Sequence, residues 1–208
     1  MPPTSISFRP AEEGKDERYI AQLWHDVYHE SHSDLVPKQF LQFRTSESFA
    51  IRASAPSFIK ETIVATKKIE QKDGPNGKVV GFITTRVEDY EIYQLFVSKE
   101  VRGLGVATKL MREAEKHFRS VYNKNRILNE QQHYHEINMH LYALVGNTLA
   151  VGFYEKCGWK IVNEEIFQAE IIANENKDFN TTGYISNEHY KIKHFPLRCY
   201  RFEKKLTW

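Results

Sequence analysis

Two glycines, Gly103 and Gly105, sit between an apolar strand-like run, Glu91 to Val97, and a stretch with helical spacing. The apolar positions of that stretch are Ala107, Leu110, Met111, Ala114, Phe118 and Val121. They form the i, i+3, i+4, i+7 stripe of a helix laid on a sheet. Such a junction of strand, glycine turn and helix N-terminus suits an anion. The first-turn N–H groups of a helix have no intrahelical acceptor, and the helix dipole favours negative charge beside them. Glycine lets a phosphate approach the backbone with no Cβ in between.

Spacing separates the ligand classes that use such a turn. A P-loop requires G-x-x-x-x-G-K-[ST], and neither glycine has a second glycine and a lysine at the required distance. A dinucleotide fingerprint requires Gly or Ala at the last position of G-x-G-x-x-G, where this chain has Thr108. The pattern [QR]-x-x-G-x-[GA] is met at every fixed place by Arg102-Gly103-Leu104-Gly105-Val106-Ala107. This segment resembles motif A of the Gcn5-related N-acetyltransferases (the GNAT superfamily), which grips the pyrophosphate of acetyl-CoA. A second signature follows about forty residues later, room for a helix, a loop and a strand. Asn147-Thr148-Leu149-Ala150-Val151-Gly152-Phe153-Tyr154-Glu155-Lys156-Cys157-Gly158-Trp159 resembles the family's N-x-x-A-x-x-F-Y-x-K-x-G-F, with Trp159 in place of the usual Phe.

The resemblance covers residues 60 to 165 well and the ends loosely. It implies an α/β (α+β) fold with a mixed, mostly antiparallel sheet of six to seven strands and about four helices. It also implies a splay between the fourth and fifth strands, where a pantetheine arm enters. A chain of 208 residues is expected to form one domain, residues 1–208.

The order of elements agrees with that fold. Ile6 to Arg9 reads as a first strand, then a helix over Tyr19 to Tyr28 with Asp16 as its N-cap. The stretch His29 to Val36 reads as a polar loop, and Pro37 opens a second helical stretch through Phe40 and Leu41 toward Phe49 and Ile51. Thr62 to Thr66 and Val79 to Thr85 read as a hairpin around the turn-rich Lys72 to Gly77. The glycine-turn helix is expected to end near Tyr122-Asn123, with a loop from Asn125 to Tyr134. Ile137 to Val145 reads as the next strand, followed by a short helix stopped at Cys157-Gly158. A further strand begins at Trp159, Asn174 to Pro196 reads as a loop, and Leu197 to Lys204 as the last strand.

Acetyl transfer to an amine requires a grip on the diphosphate, removal of a proton from the ammonium, and stabilisation of the oxyanion and the departing thiolate. The resemblance assigns the first task to backbone N–H groups across Arg102, Gly103, Leu104, Gly105, Val106 and Ala107, with Thr108 beside them. It assigns general-base catalysis to Glu91 and the acid at sulfur to Tyr154, which also borders the cofactor. Asn147 contacts the pantetheine arm or caps its helix, and the amide of Phe96 or Val97 faces the thioester carbonyl. Thr84, Tyr93 and Gln94 line the same cleft, while Lys109, Arg112 and Lys116 read as a solvated helix face.

The expected activity is therefore transfer of acetyl from acetyl-CoA to a primary amine, on a small molecule or a peptide. Three readings stay open beside it: another acyl-CoA, acetylation of protein lysines or N-termini, and a CoA-binding sensor or scaffold without turnover. A net charge of +2 implies no nucleic-acid or membrane surface. No apolar run reaches the roughly 20 residues of a membrane span, and the N-terminus lacks a signal-peptide pattern. Cys157 and Cys199 read as reduced thiols of a cytoplasmic or nuclear protein. Neither His133-x-His135 beside Glu136 nor His189 with His194 matches a zinc spacing, so no metal is expected. Homodimerisation stays open.

Overall fold

A computed structural model describes residues 5–68, 77–129, 136–174 and 190–207. The chain runs β1 (Ile6–Pro10), α1 (Glu17–His32), α2 (Lys38–Leu41), α3 (Ser46–Ala53), α4 (Pro56–Lys60), β2 (Thr62–Lys67), β3 (Lys78–Arg86) and β4 (Glu91–Val97). After a 3₁₀ turn at Lys99–Val101 come α5 (Val106–Asn129), β5 (Glu136–Leu144), α6 (Thr148–Lys156), β6 (Lys160–Asn174) and β7 (Tyr190–Thr207). The strands make one sheet in the order β1-β2-β3-β4-β5-β7-β6. All neighbours are antiparallel except β4 and β5.

Each face of the sheet has its own core. On one face Val106, Leu110, Met111, Ala114 and Phe118 of α5 pack with Ile83, Ile92 and Met139 of the strands, joined by Tyr154 of α6. On the other, Ile20, Trp24 and Tyr28 of α1 pack with Phe40, Phe49, Phe58, Phe82 and Phe96. Trp24 stacks on Phe58 at 5.1 Å and meets Phe82 edge-on at 5.7 Å. Burying a side chain of this size contributes about 1.5–3 kcal/mol, so these two faces dominate the sheet's stability.

The helices depart from the sequence expectations in several places. The second helical stretch is broken into α2, α3 and α4. Thr45 caps α3 by accepting from the Ser48 amide at 3.1 Å, and Pro56 starts α4. A cap and a proline each restart a helix rather than continue one. Among the described residues, six helices therefore stand where about four were expected. α1 reaches His32, so the expected loop at His29 begins four residues later. Asp16 precedes α1 without capping it. Its carboxylate is taken by Arg9, at 2.6 and 2.9 Å, and by the Glu12 amide at 2.8 Å. α5 runs past Asn123 to Asn129.

β6 and β7 form a hairpin far longer than the expected last strand, paired from Lys160↔Glu203 out to Asn174↔Tyr190. Part of the Asn174 to Pro196 stretch expected as loop is thus strand. The remainder, with Lys72 to Asn76, His133, His135 and His189, lies outside the described residues.

The expected splay is present, and a bulge marks its start. β4 pairs with β5 only at Glu91↔His140 and Ile92↔Leu141, with the His140 amide donating to the Tyr90 carbonyl at 3.1 Å. Against β3, Thr85 faces Ile92 but Thr84 faces Gln94, so Tyr93 is one residue too many. An extra residue bends a strand and increases its local twist. Beyond it β4 follows β3, whereas β5 follows β7 to Leu144↔Cys199.

Candidate active site

The gap between the parted strands holds a cavity of about 170 Å³. Its walls include Glu91 and Phe96 of β4, Asn147, Ala150 and Tyr154 of α6, and Tyr28 and His32 of α1. Arg44 lines it from the turn between α2 and α3. Glu91, Phe96, Asn147 and Tyr154, distant in sequence, are thus brought together as expected. Gln94 lines this cavity too. Thr84 does not. It lines a second cavity of about 400 Å³, its hydroxyl bonded to that of Thr62 at 2.6 Å. Tyr93 borders both.

The backbone of β4 supplies donors to the gap. Ser98 N–H donates to the Val80 carbonyl at 2.8 Å. By the two-residue period of an antiparallel ladder, Phe96 also spends its amide on β3. The N–H groups of Leu95 and Val97 turn the other way, toward the gap. Of the two expected donors, Val97 has that orientation and Phe96 contributes its side chain instead. Leu95 was not anticipated, because the pairing phase of a strand is absent from its sequence.

Arg102 to Thr108 lies outside the cavity, at the end of β4 where α5 begins. Gly103 and Gly105 adopt φ of 79° and 77°, a region costly for other residues. The space where a Cβ would project is open, with no atom within 4 Å at either. Val106, Ala107 and Thr108 form the first turn of α5, where amides lack an intrahelical acceptor. They donate to no backbone carbonyl among the described residues. The amides of Arg102 and Leu104 make long bonds, 3.3 Å each, to Lys99 and Val101. The Arg102 guanidinium is turned away, gripping Glu30 of α1 at 2.8 and 3.0 Å. The loop therefore offers backbone donors rather than a side-chain charge. On α5, Lys109 and Lys116 pair with Glu113 at 2.9 and 3.0 Å, as a solvated face does.

Burial sets the protonation of the cavity groups. Tyr154 is buried against Phe153 and Phe202, and desolvation raises its pKa, keeping the phenol protonated. Asn147 caps α6, its side chain accepting from the Ala150 amide at 3.1 Å. Glu91 is buried, and desolvation raises its pKa despite Arg86 at 3.3 Å. Arg86 lies 3.6 Å over the Tyr93 ring and reaches Glu170 at 3.5 Å. Cys199 also lines the cavity, its thiol pushed up to about 12 by burial and thus unreactive.

Arg44 is the wall residue that sequence reasoning missed. It is 7% exposed, and its guanidinium lies 4.3 Å over Phe40 and 5.6 Å from the Tyr28 ring. Among the described residues no carboxylate pairs with it, and its Nε has no hydrogen-bond partner. Desolvating an ion costs several kcal/mol, whereas a cation–π contact returns about 0.5–2. Burial, with Arg52 nearby, brings its pKa down to about 10, so it stays charged at neutral pH. The only trace in the sequence is an arginine inside the apolar run Phe40-Leu41-Gln42-Phe43 and Phe49.

Comparison with known proteins agrees with this architecture. Residues 60–161 match the family described as Acetyltransferase (GNAT) domain. Over 87 residues the chain is 32% identical to an uncharacterized N-acetyltransferase of Methanocaldococcus jannaschii, covering 41% of this chain and 48% of that protein. The match thus spans about half the length of that curated relative. Among solved structures, the PaiA N-acetyltransferase of Thermoplasma acidophilum in complex with coenzyme A gives a TM-score of 0.61 at 15% identity, covering 97% of this chain and 99% of that one. NAA60 of Arabidopsis thaliana, in complex with a bisubstrate analogue, gives 0.54 at 16% identity, with 98% and 100% covered. These likenesses are of fold.

One protonation state is directly measurable. Burial against Tyr28, on which its ring stacks at 4.4 Å, brings the His32 pKa down to about 4. The folded chain therefore binds this proton later than the unfolded chain, and stability falls as pH drops from about 6.5 toward 4. NMR titration is expected to show the His32 imidazole, assigned with His32→Gln, unchanged between pH 5 and 8. A midpoint near 6.5 would contradict its burial.

Proposed function

The chain belongs to the GNAT superfamily, whose domain occupies residues 60–161, and on that premise we propose that it transfers acetyl from acetyl-CoA to a primary amine by direct attack in a ternary complex. The observation that carries this reading is the parting of β4 and β5 at Tyr93, with Glu91 and Tyr154 on the walls of one cavity.

The parts fit the co-substrate. Five amides without a partner among the described residues, those of Gly103 and of Gly105 to Thr108, are suited to the diphosphate, and the open space at both glycines leaves room for it. The pantetheine arm would run through the gap along Leu95 and Val97, and their N–H groups would stabilise the carbonyl oxygen as it gains charge.

The chemistry then balances. Glu91, its pKa raised by burial, takes one proton from the ammonium directly or through water. The amine nitrogen bonds to the thioester carbon, and the C–S bond breaks. The departing sulfur takes the Tyr154 proton. The proton shed by nitrogen as the amide forms returns to Tyr154 through water. Products are the acetamide and the free thiol.

Replacing Tyr154 by Phe is expected to lower kcat about ten-fold or more with KM for acetyl-CoA little changed; thiol-release kinetics measure both, and full activity removes Tyr154 from the acid role. Glu91→Gln is expected to lower kcat by about 10²-fold or more. It should also abolish the loss of rate that wild type shows as pH falls through the Glu91 pKa. An unchanged pH profile would transfer the base role to water or another group. Gly105→Asp adds charge and a side chain at a φ of 77°; calorimetry with acetyl-CoA should show no binding heat, and retained affinity would move the nucleotide elsewhere.

A further inference from the structure

We propose that the acceptor is an amino-acid-like amine, carrying a carboxylate and an apolar body, and that Arg44 binds its carboxylate in the gap between β4 and β5. This rests on the acetyl-transfer reading and deepens it by naming the acceptor class.

Three features of the cavity support it. Arg44 is a buried cation whose neighbours are two ring faces and the Tyr28 phenol, with no acidic partner among the described residues and Nε left unpaired. A bidentate carboxylate is the group that a guanidinium fork matches best. Part of the wall is apolar: Phe40, Phe167, Ala169 and Leu197 face the same cavity, so a hydrocarbon side chain is accommodated there. Glu91, which lines the same cavity from β4, is the carboxylate that would face the ammonium. A cation and a carboxylate brought to one cavity by different elements match the two ends of a zwitterion. Arg44 lies against Tyr28 of α1 and Phe40 of α2, where Phe40 packs 5.1 Å from Phe195 of β7, whereas Asn147 and Tyr154 reach the cavity from α6. Placement on elements other than α6 favours the acceptor over the acyl chain as the source of the carboxylate.

The test compares L-leucine with 3-methylbutylamine, the same amine without its carboxylate, using acetyl-CoA and the full chain. The measured quantity is the ratio of their kcat/KM values in wild type, Arg44→Met and Arg44→Lys. Comparing ratios between variants cancels the difference in amine basicity. Wild type is expected to prefer leucine. The ratio should fall about 30-fold or more in Arg44→Met, the usual consequence of losing a buried charge-paired contact. It should fall less in Arg44→Lys, which keeps the charge and loses the fork. Equal or better use of 3-methylbutylamine by wild type, or a leucine preference that survives in Arg44→Met, overturns the proposal. So does faster transfer from succinyl-CoA than from acetyl-CoA to 3-methylbutylamine, which would assign the carboxylate to the acyl chain. Calorimetry with N-acetyl-L-leucine and coenzyme A reads the pocket apart from turnover. If no amine is acetylated, the transfer reading fails. Binding of N-acetyl-L-leucine that is lost in Arg44→Met would still sustain the Arg44 assignment, and no binding would end it.

Discussion

One surplus residue in β4 governs the layout of this molecule. Opposite Thr84 and Thr85, β3 finds three residues, Ile92, Tyr93 and Gln94, and the ladder between β4 and β5 ends at Ile92↔Leu141. Two strands that would otherwise share a continuous row of hydrogen bonds exchange it for an open wedge. The backbone groups freed on Leu95 and Val97 must find partners in water or in a ligand, since unpaired buried amides are costly. The wedge is therefore both a hole in the fold and a set of preorganised donors. It persists because each strand has another neighbour: β4 is held by β3 and the paired cores above it, and β5 by β7 along nine residue pairs, Glu136↔Thr207 to Leu144↔Cys199.

The groups around the wedge share one physical condition, low access to water, and respond according to their charge type. Tyr154 and Cys199 are held in their protonated forms, and His32 in its neutral one. The Glu91 carboxyl is made more basic. Arg44 keeps its charge at neutral pH, because burial brings its pKa only to about 10. A buried cation and a carboxyl of raised pKa thus share a space walled by apolar and polar groups together. Such a space strengthens any electrostatic contact made inside it.

How much of this was legible in the sequence depended on the range of the interaction concerned. The glycine turn and the α5 stripe are local patterns: Gly103, Gly105, Leu110, Met111, Ala114 and Phe118 take the conformations and burial that their spacing requires, while Ala107 and Val121 of the stripe are only half-buried and Val106, outside it, is buried. Asn147 likewise caps the helix it precedes. What escaped is what depends on distant partners. Asp16 has the chemistry of an N-cap but Arg9 claims it. The β6–β7 hairpin reads as polar because one of its faces is solvated, while Ala169, Ile171, Leu197 and Cys199 of the other face are buried. Arg44 looks like a surface charge until the aromatic rings from α1 and α2 close around it.

α1 connects the two ends of the site. Its last turns carry Tyr28 and His32 into the cavity wall and, through Glu30, hold the Arg102 guanidinium. Arg102 in turn reaches the Val97 carbonyl at 3.4 Å. The Glu30–Arg102 pair is exposed, and exposed pairs contribute only about 0–1 kcal/mol. Its effect is on orientation: it aligns the backbone of the glycine loop with a helix that is itself fixed by Ile20, Trp24 and Tyr28 in the core. A displacement of α1 would move the cavity wall and the loop together. The register between the anion-binding turn and the wedge is thus set by packing on one side of the sheet, while the turn's own helix, α5, packs on the other. The sheet between them transmits that register, with β3 and β4 packed against both α1 and α5.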